Sequence, residues 1–156
     1  MDVISVLPKD AIASIDEPRF DRQFEGTLDE TILAVERELA RAYPILILNY
    51  HEIVNDRVDD EPIAVTWCPI CGSAVVYEAT VGDAALTFGV SGKLADVHVL
   101  YDRETEPDWK QTNGECITGD LLGEHLTVIP AAMTTALAFE ARYPERVFLQ
   151  PTLLKY

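Results

Sequence analysis

The sequence predicts an α+β fold, mostly antiparallel β, in which a meander or barrel-like sheet carries a few short helices. Three observations predict it. Short runs of β-branched and aromatic residues recur, the clearest being Pro62-Ile63-Ala64-Val65-Thr66-Trp67 and Ser73-Ala74-Val75-Val76-Tyr77-Glu78-Ala79. Turn residues such as Gly82-Asp83 separate these runs too closely for long helices. One helical segment stands out, Thr134 to Tyr143, with a threonine at its start and Pro144 just past its end. At 156 residues, 48% of them hydrophobic, the chain can bury one sizeable core. With no linker, repeat or low-complexity stretch, residues 1–156 are expected to form a single domain.

Taken in order, the prolines and unpatterned apolar residues from Leu7 to Phe20 predict an extended arm that wraps the domain. Thr31 to Glu38 and Ala40 to Tyr43 predict a hairpin, against a rival helix over Asp29 to Ala42 that intrinsic propensity favours. Pro44 opens a short buried helix running from Ile45 to Asp56, since proline suits a first helical turn. The runs on either side of Cys68-Pro69-Ile70-Cys71-Gly72 place both cysteines on a strand-to-strand turn. Ala85 to Val90 continues the meander, and Val97 to Tyr101, Glu115 to Ile117, Leu126 to Ile129 and Val147 to Leu149 add short strands.

Charge narrows the partners. Asp and Glu number 27 against 12 Lys and Arg, a net charge of -15, so the surface lacks the basic clusters that phosphate neutralisation needs and nucleic acid is excluded. Such an acidic, lysine-poor surface fits either a salt-loving, halophilic source or an ordinary acidic cytosolic protein. No window approaches the roughly 20 apolar residues that span a bilayer, and the start Met1-Asp2-Val3-Ile4-Ser5 has no export pattern. The expectation is a cytoplasmic protein that does not enter a membrane. Three cysteines, two of them close together, suit a reducing interior better than a disulfide framework.

The chemistry centres on the Cys-Pro-x-Cys-Gly knuckle. Two cysteines separated by two residues in a tight turn can present both sulfurs to one metal ion. A closed site needs two more ligands, for which Cys116, His51, His98 and His125 are the candidates. His51 comes first, because it lies ahead of the strand that delivers Cys68, although a structural histidine satisfied by a polar partner is its alternative; Cys116 reads as a small buried hydrophobe ahead of a ligand. Cys68, Cys71 and His51 are therefore the expected ligands, with Cys116, a carboxylate or solvent in the fourth position, for zinc, copper or iron. Glu52 would carry protons and Lys93 or Arg103 would anchor an anion, or each would form an ordinary ion pair. A thiol-disulfide exchanger is the rival enzyme, since a tryptophan before CxxC resembles thioredoxin-like sites, but there the first cysteine caps a helix and here a strand pattern follows. The third reading is a structural or interaction module whose knuckle merely staples its hairpin. Two motifs fail: His51-Glu52-Ile53-Val54-Asn55 lacks the second histidine of HExxH, and Gly89-Val90-Ser91-Gly92-Lys93-Leu94 lacks both the earlier glycine and the hydroxyl of a P-loop.

Several blocks together resemble the domain of unknown function 3179 family. They include Pro8-Lys9-Asp10-Ala11-Ile12, Ala40 to Pro44, Ile47-Leu48-Asn49-Tyr50-His51-Glu52-Ile53-Val54-Asn55-Asp56, Ala64 to Ser73, Thr87 to Leu94 and Tyr101-Asp102-Arg103-Glu104-Thr105. The resemblance covers nearly the whole chain and implies a fold but no settled activity. It also implies positions of interest: His51, Glu52, Asn55, Cys68, Cys71, Lys93, Asp102 and Arg103 fall inside matching blocks, and Cys116 does not. Where the family usually has Leu-Tyr-Asn-Ser-Asp after the lysine, this chain has Leu94-Ala95-Asp96-Val97-His98.

Overall fold

The computed structural model describes residues 4–37, 39–95 and 97–152. Glu38, at the end of the first expected hairpin strand, and Asp96, inside the segment that departs from the family pattern, lie outside the described residues, as do the N-terminal 1–3. The described strands pair almost entirely antiparallel, in sheets of four, four and five strands plus a two-stranded ribbon. Two short helices accompany them, so the α+β expectation holds, but the sheets are open and do not close into a barrel.

The central sheet keeps two strands of the expected meander, Glu61–Cys68 and Ser73–Glu78, and adds Ile53–Val58 beside them and Val128–Ile129 on its edge; the expected next strand, Ala85 to Val90, is instead divided between the two-stranded ribbon (Ala84–Ala85) and another sheet (Phe88–Ala95). Its first turn is Asp59-Asp60, both with positive φ (53° and 66°), as a two-residue hairpin loop matched to strand twist requires. That turn corrects the expected helix over Ile45 to Asp56. Helix α1 spans only Ile45–His51, and Glu52, at φ 65°, adopts the left-handed conformation that ends it. From Ile53 on, the chain pairs with Thr66 and its neighbours, and the β-branched Ile53 and Val54 are fully buried there. Ladder pairing and burial outweigh continued helix.

Thr31–Val35 and Ala40–Pro44 form the expected hairpin in place of the rival helix, because strand pairing lets one face bury Leu33, Val35 and Tyr43 in one core cluster and the other bury Ile32 and Ala42 in a second. Helix α2, Ala136–Arg142, is capped by the Thr135 hydroxyl accepting the Ala138 amide at 3.1 Å. It carries the chain to Arg146–Leu149, which lies parallel to Ala40–Pro44 in the five-stranded sheet.

The remaining sheet joins Ile4–Ser5, Phe88–Ala95, Val97–Asp102 and Asp108–Lys110. Its register shifts between Val90 and Leu94, and Gly92 at φ 77° sits in the bulge. The Gly92 carbonyl accepts the amides of Val6 and Leu7 at 2.7 and 2.9 Å, and a Cβ on Gly92 would lie 2.1 Å from the Leu7 carbonyl oxygen. Only glycine permits this approach. The glycine-rich stretch is thus a bulged strand that seats the N-terminal arm.

The arm wraps the domain as expected, with Ile15 bridging Val54 in parallel. Asn55 fixes it by donating to Asp16 at 2.8 Å while bonding both backbone groups of Phe88, at 2.8 and 2.9 Å. Behind the arm, Tyr43, Leu48, Val54, Val65 and Val76 pack in one core cluster and Phe88, Trp109 and Tyr77 in another. No helix among the described residues is long and apolar enough to cross a membrane.

Candidate functional site

The knuckle is built by hairpin geometry. Cys68 ends one strand opposite Ser73, which starts the next, and Gly72 at φ 64° closes the turn with its amide on the Cys68 carbonyl at 2.8 Å. The Cys71 amide donates to Cys68 Sγ at 3.3 Å. Cys68 is buried and Cys71 exposed, and all three cysteines are free thiols. Burial pushes the Cys68 thiol above its ordinary value, the Cys71 thiol pushes the same way, and the amides of Cys71 and His98 oppose both. The residues after the knuckle form the strand Ser73–Glu78, so no helix N-terminus activates Cys68 in the thioredoxin manner.

Beside the knuckle lies a cleft roofed by the arm residues Val6, Leu7 and Ile12 and floored by Cys68, Glu52 and His98. Glu52 reaches it because of its backbone: its amide closes α1 on Leu48 and its carbonyl accepts the Trp67 amide, so the left-handed φ is held from both sides. A non-glycine residue held there costs on the order of 1 kcal/mol, a strain that concentrates at functional sites. The Glu52 carboxyl meets His98 Nε2 at 3.5 Å, both side chains being more than nine-tenths buried. Burial raises the Glu52 carboxyl to about 7 and lowers the His98 imidazole to about 4. At neutral pH the cleft therefore holds a neutral imidazole beside a carboxyl balanced between its two forms. Lys93 also lines the cleft, but its ammonium is engaged by Asp108 at 3.1 Å.

The other expected site residues lie elsewhere or do other work. His51, on the last turn of α1, bonds the Ala13 carbonyl through Nδ1 at 2.7 Å and so helps hold the arm. Cys116 packs in the Trp109 cluster and donates its thiol to the Thr118 carbonyl at 3.1 Å. Asp102, wholly buried, accepts from the Thr105 amide at 2.6 Å, the Thr105 hydroxyl and Trp109 Nε1 at 2.8 Å, organising the turn between two strands. Arg103 grips the arm at Ser14, Asp16 and Asp10, at 2.9, 3.1 and 3.3 Å. His125 sits exposed near Glu115. Among the described residues no group of three or more His, Cys, Asp or Glu side chains is placed to hold a metal ion.

Residues 9–153 match the family described as Protein of unknown function (DUF3179). The chain belongs to that family. No curated protein and no solved structure matches it. In this DUF3179 chain the residues inside the recognisable blocks divide by role. Asn55, Asp102 and Arg103 bind the arm and the turns, while Glu52, Cys68 and Lys93 line the cleft. His98 is the cleft residue that carried least signal in the sequence. It lies where the chain departs from the family pattern, and only the pairing of Leu94 with His98 across the bulged hairpin brings it to the cleft floor.

Proposed function

We propose that this DUF3179 chain binds a thiophilic transition-metal ion through the thiolates of Cys68 and Cys71, with monovalent copper the best fit. The supporting observation is the Cys71 amide directed at Cys68 Sγ in a turn that Gly72 closes from the left-handed region. A backbone donor on sulfur favours the thiolate over the thiol, which is what a metal ligand requires. Soft sulfur ligands select monovalent copper, zinc or iron, and of these monovalent copper is satisfied by two thiolates alone. The raised thiol pKa of Cys68 does not oppose this, because a coordinating metal displaces the proton outright. It does weigh against the rival reading of thiol-disulfide exchange, which needs an ambient thiolate.

The test is metal analysis of protein purified without chelator and then titrated with buffered monovalent copper. One equivalent is expected, lost in Cys68→Ser and in Cys71→Ser and kept in His51→Gln and Cys116→Ser. Metal retained when both knuckle cysteines are replaced, or no uptake by the wild-type chain, defeats the proposal. Loss in His51→Gln would restore the three-ligand set that the sequence suggests.

A further inference from the structure

We propose that the cleft beside the knuckle is a binding site for a small primary amine with an apolar body about the size of a benzene ring. The proposal does not rest on metal binding at the knuckle.

The cleft holds about 160 Å³. That is close to the volume, roughly 150 Å³, at which an engineered apolar cavity accepts benzene. Its walls are Val6, Leu7, Ile12, Pro69, Ile70 and Val90, all apolar, with Ile70 and Leu7 leaving the mouth open to solvent. An apolar molecule of this size gains by leaving water for such walls.

The polar end of the ligand is set by Glu52. Its side chain is only 9% exposed, yet its carboxyl accepts no hydrogen bond from any described residue. The nearest polar neighbour, His98 Nε2 at 3.5 Å, is too far for a good bond, and Nε2 itself has no hydrogen-bond partner among the described residues. Lys93, the cation among the described residues that line the cleft, is committed to Asp108. Buried carboxyls elsewhere in the chain are satisfied: Asp102 takes bonds from Thr105 and Trp109, and Asp56 from Arg41 and Tyr43. Glu52 therefore stands out among the buried carboxyls as an acceptor that no described residue supplies with a donor, its oxygens open to an apolar cleft. An ammonium supplies three donors and the opposite charge, the strong form of such a bond. A hydroxyl or amide would supply one donor and no charge, and a carboxylate would be repelled both by Glu52 and by the chain's net charge of -15.

Isothermal titration of the purified chain with benzylamine, and with benzyl alcohol as its uncharged match in shape, tests the assignment. Saturable one-to-one binding of benzylamine is expected, at least about tenfold tighter than the alcohol. Glu52→Gln should bring the two ligands within about twofold of each other. Leu7→Trp, at the exposed mouth, should block both without touching the core. Cys71→Ser, outside the cleft lining, should keep amine binding whether or not it loses metal, so this inference and the metal proposal fail separately. Equal affinity for amine and alcohol, unsaturable binding of benzylamine, or binding unchanged in Leu7→Trp would each overturn it.

Discussion

Replacing Glu52 by Gln, and separately His98 by Gln, separates two opposing proton linkages in the cleft. The folded chain holds the Glu52 proton to about 7 where an ordinary carboxyl releases it at 4.5. Its contribution to stability is thus complete below pH 4.5 and lost by pH 7; at roughly 1.4 kcal/mol per pH unit it amounts to about 3 kcal/mol. His98 behaves oppositely, since the folded imidazole resists protonation down to about 4 against an ordinary 6.5. Its contribution is complete above pH 6.5 and lost by pH 4, again about 3 kcal/mol. In the wild-type chain the two slopes cancel across the overlap. Urea unfolding of wild type and both variants between pH 4 and 8, at constant ionic strength, reads each slope as a difference and removes the contribution of the other carboxylates. Glu52→Gln should gain about 3 kcal/mol relative to wild type as pH rises through the window, and His98→Gln should lose about as much. Were Glu52 and His98 instead a charged pair, each would be held in its ionised form and both differences would change sign; that outcome refutes the neutral-cleft account.

Two further expectations follow from the same structure. Asp102→Ala leaves the buried Trp109 Nε1 without an acceptor and takes the acceptor from the part-buried Thr105 amide, which should cost about 3 kcal/mol and lower Tm by roughly 6–12 °C in a scanning calorimeter, with metal uptake unchanged. If the excess of 27 acidic over 12 basic residues is an adaptation to salt, Tm should climb steadily between low and molar KCl, and an unchanged Tm identifies an ordinary acidic protein.

The strands flanking the knuckle were legible because their burial pattern and turn residues agree, and α2 because a threonine opens its stretch, although the expected first residue, Thr134, lies in the strand Ala132–Thr135 and the helix starts only at Ala136, with Thr135 as its cap. The break at Glu52 was not, since nothing local to Ile45 to Asp56 forbids a helix. The two-residue turn at Asp59-Asp60 decides it, by folding Glu61–Cys68 back on Ile53–Val58. The site divided along the same line. Cys68 and Cys71 are neighbours in sequence, so their meeting was readable from spacing; Glu52 and His98 meet only because a bulged strand and a helix end converge. Asp102 and Arg103 lie in a recognisable block for reasons of construction, Arg103 reaching 93 residues back to Asp10, and a motif does not distinguish a residue that builds a site from one that works in it.

Glu52 combines two unusual features at one position. Its backbone is held at a φ that non-glycine residues avoid, and its side chain, nine-tenths buried, takes no hydrogen bond from any described residue. Glycine or asparagine would relieve the first and an apolar side chain of similar volume the second, and Glu52 takes no part in the Asn55, Asp102 and Arg103 contacts that hold arm and sheets together. A side chain of this kind, opening into an apolar cleft beside the Cys68 thiol, is the feature on which the proposed amine site rests, and the comparison of Glu52→Gln with wild type is what decides whether the carboxylate works on a ligand or only on the stability of the chain.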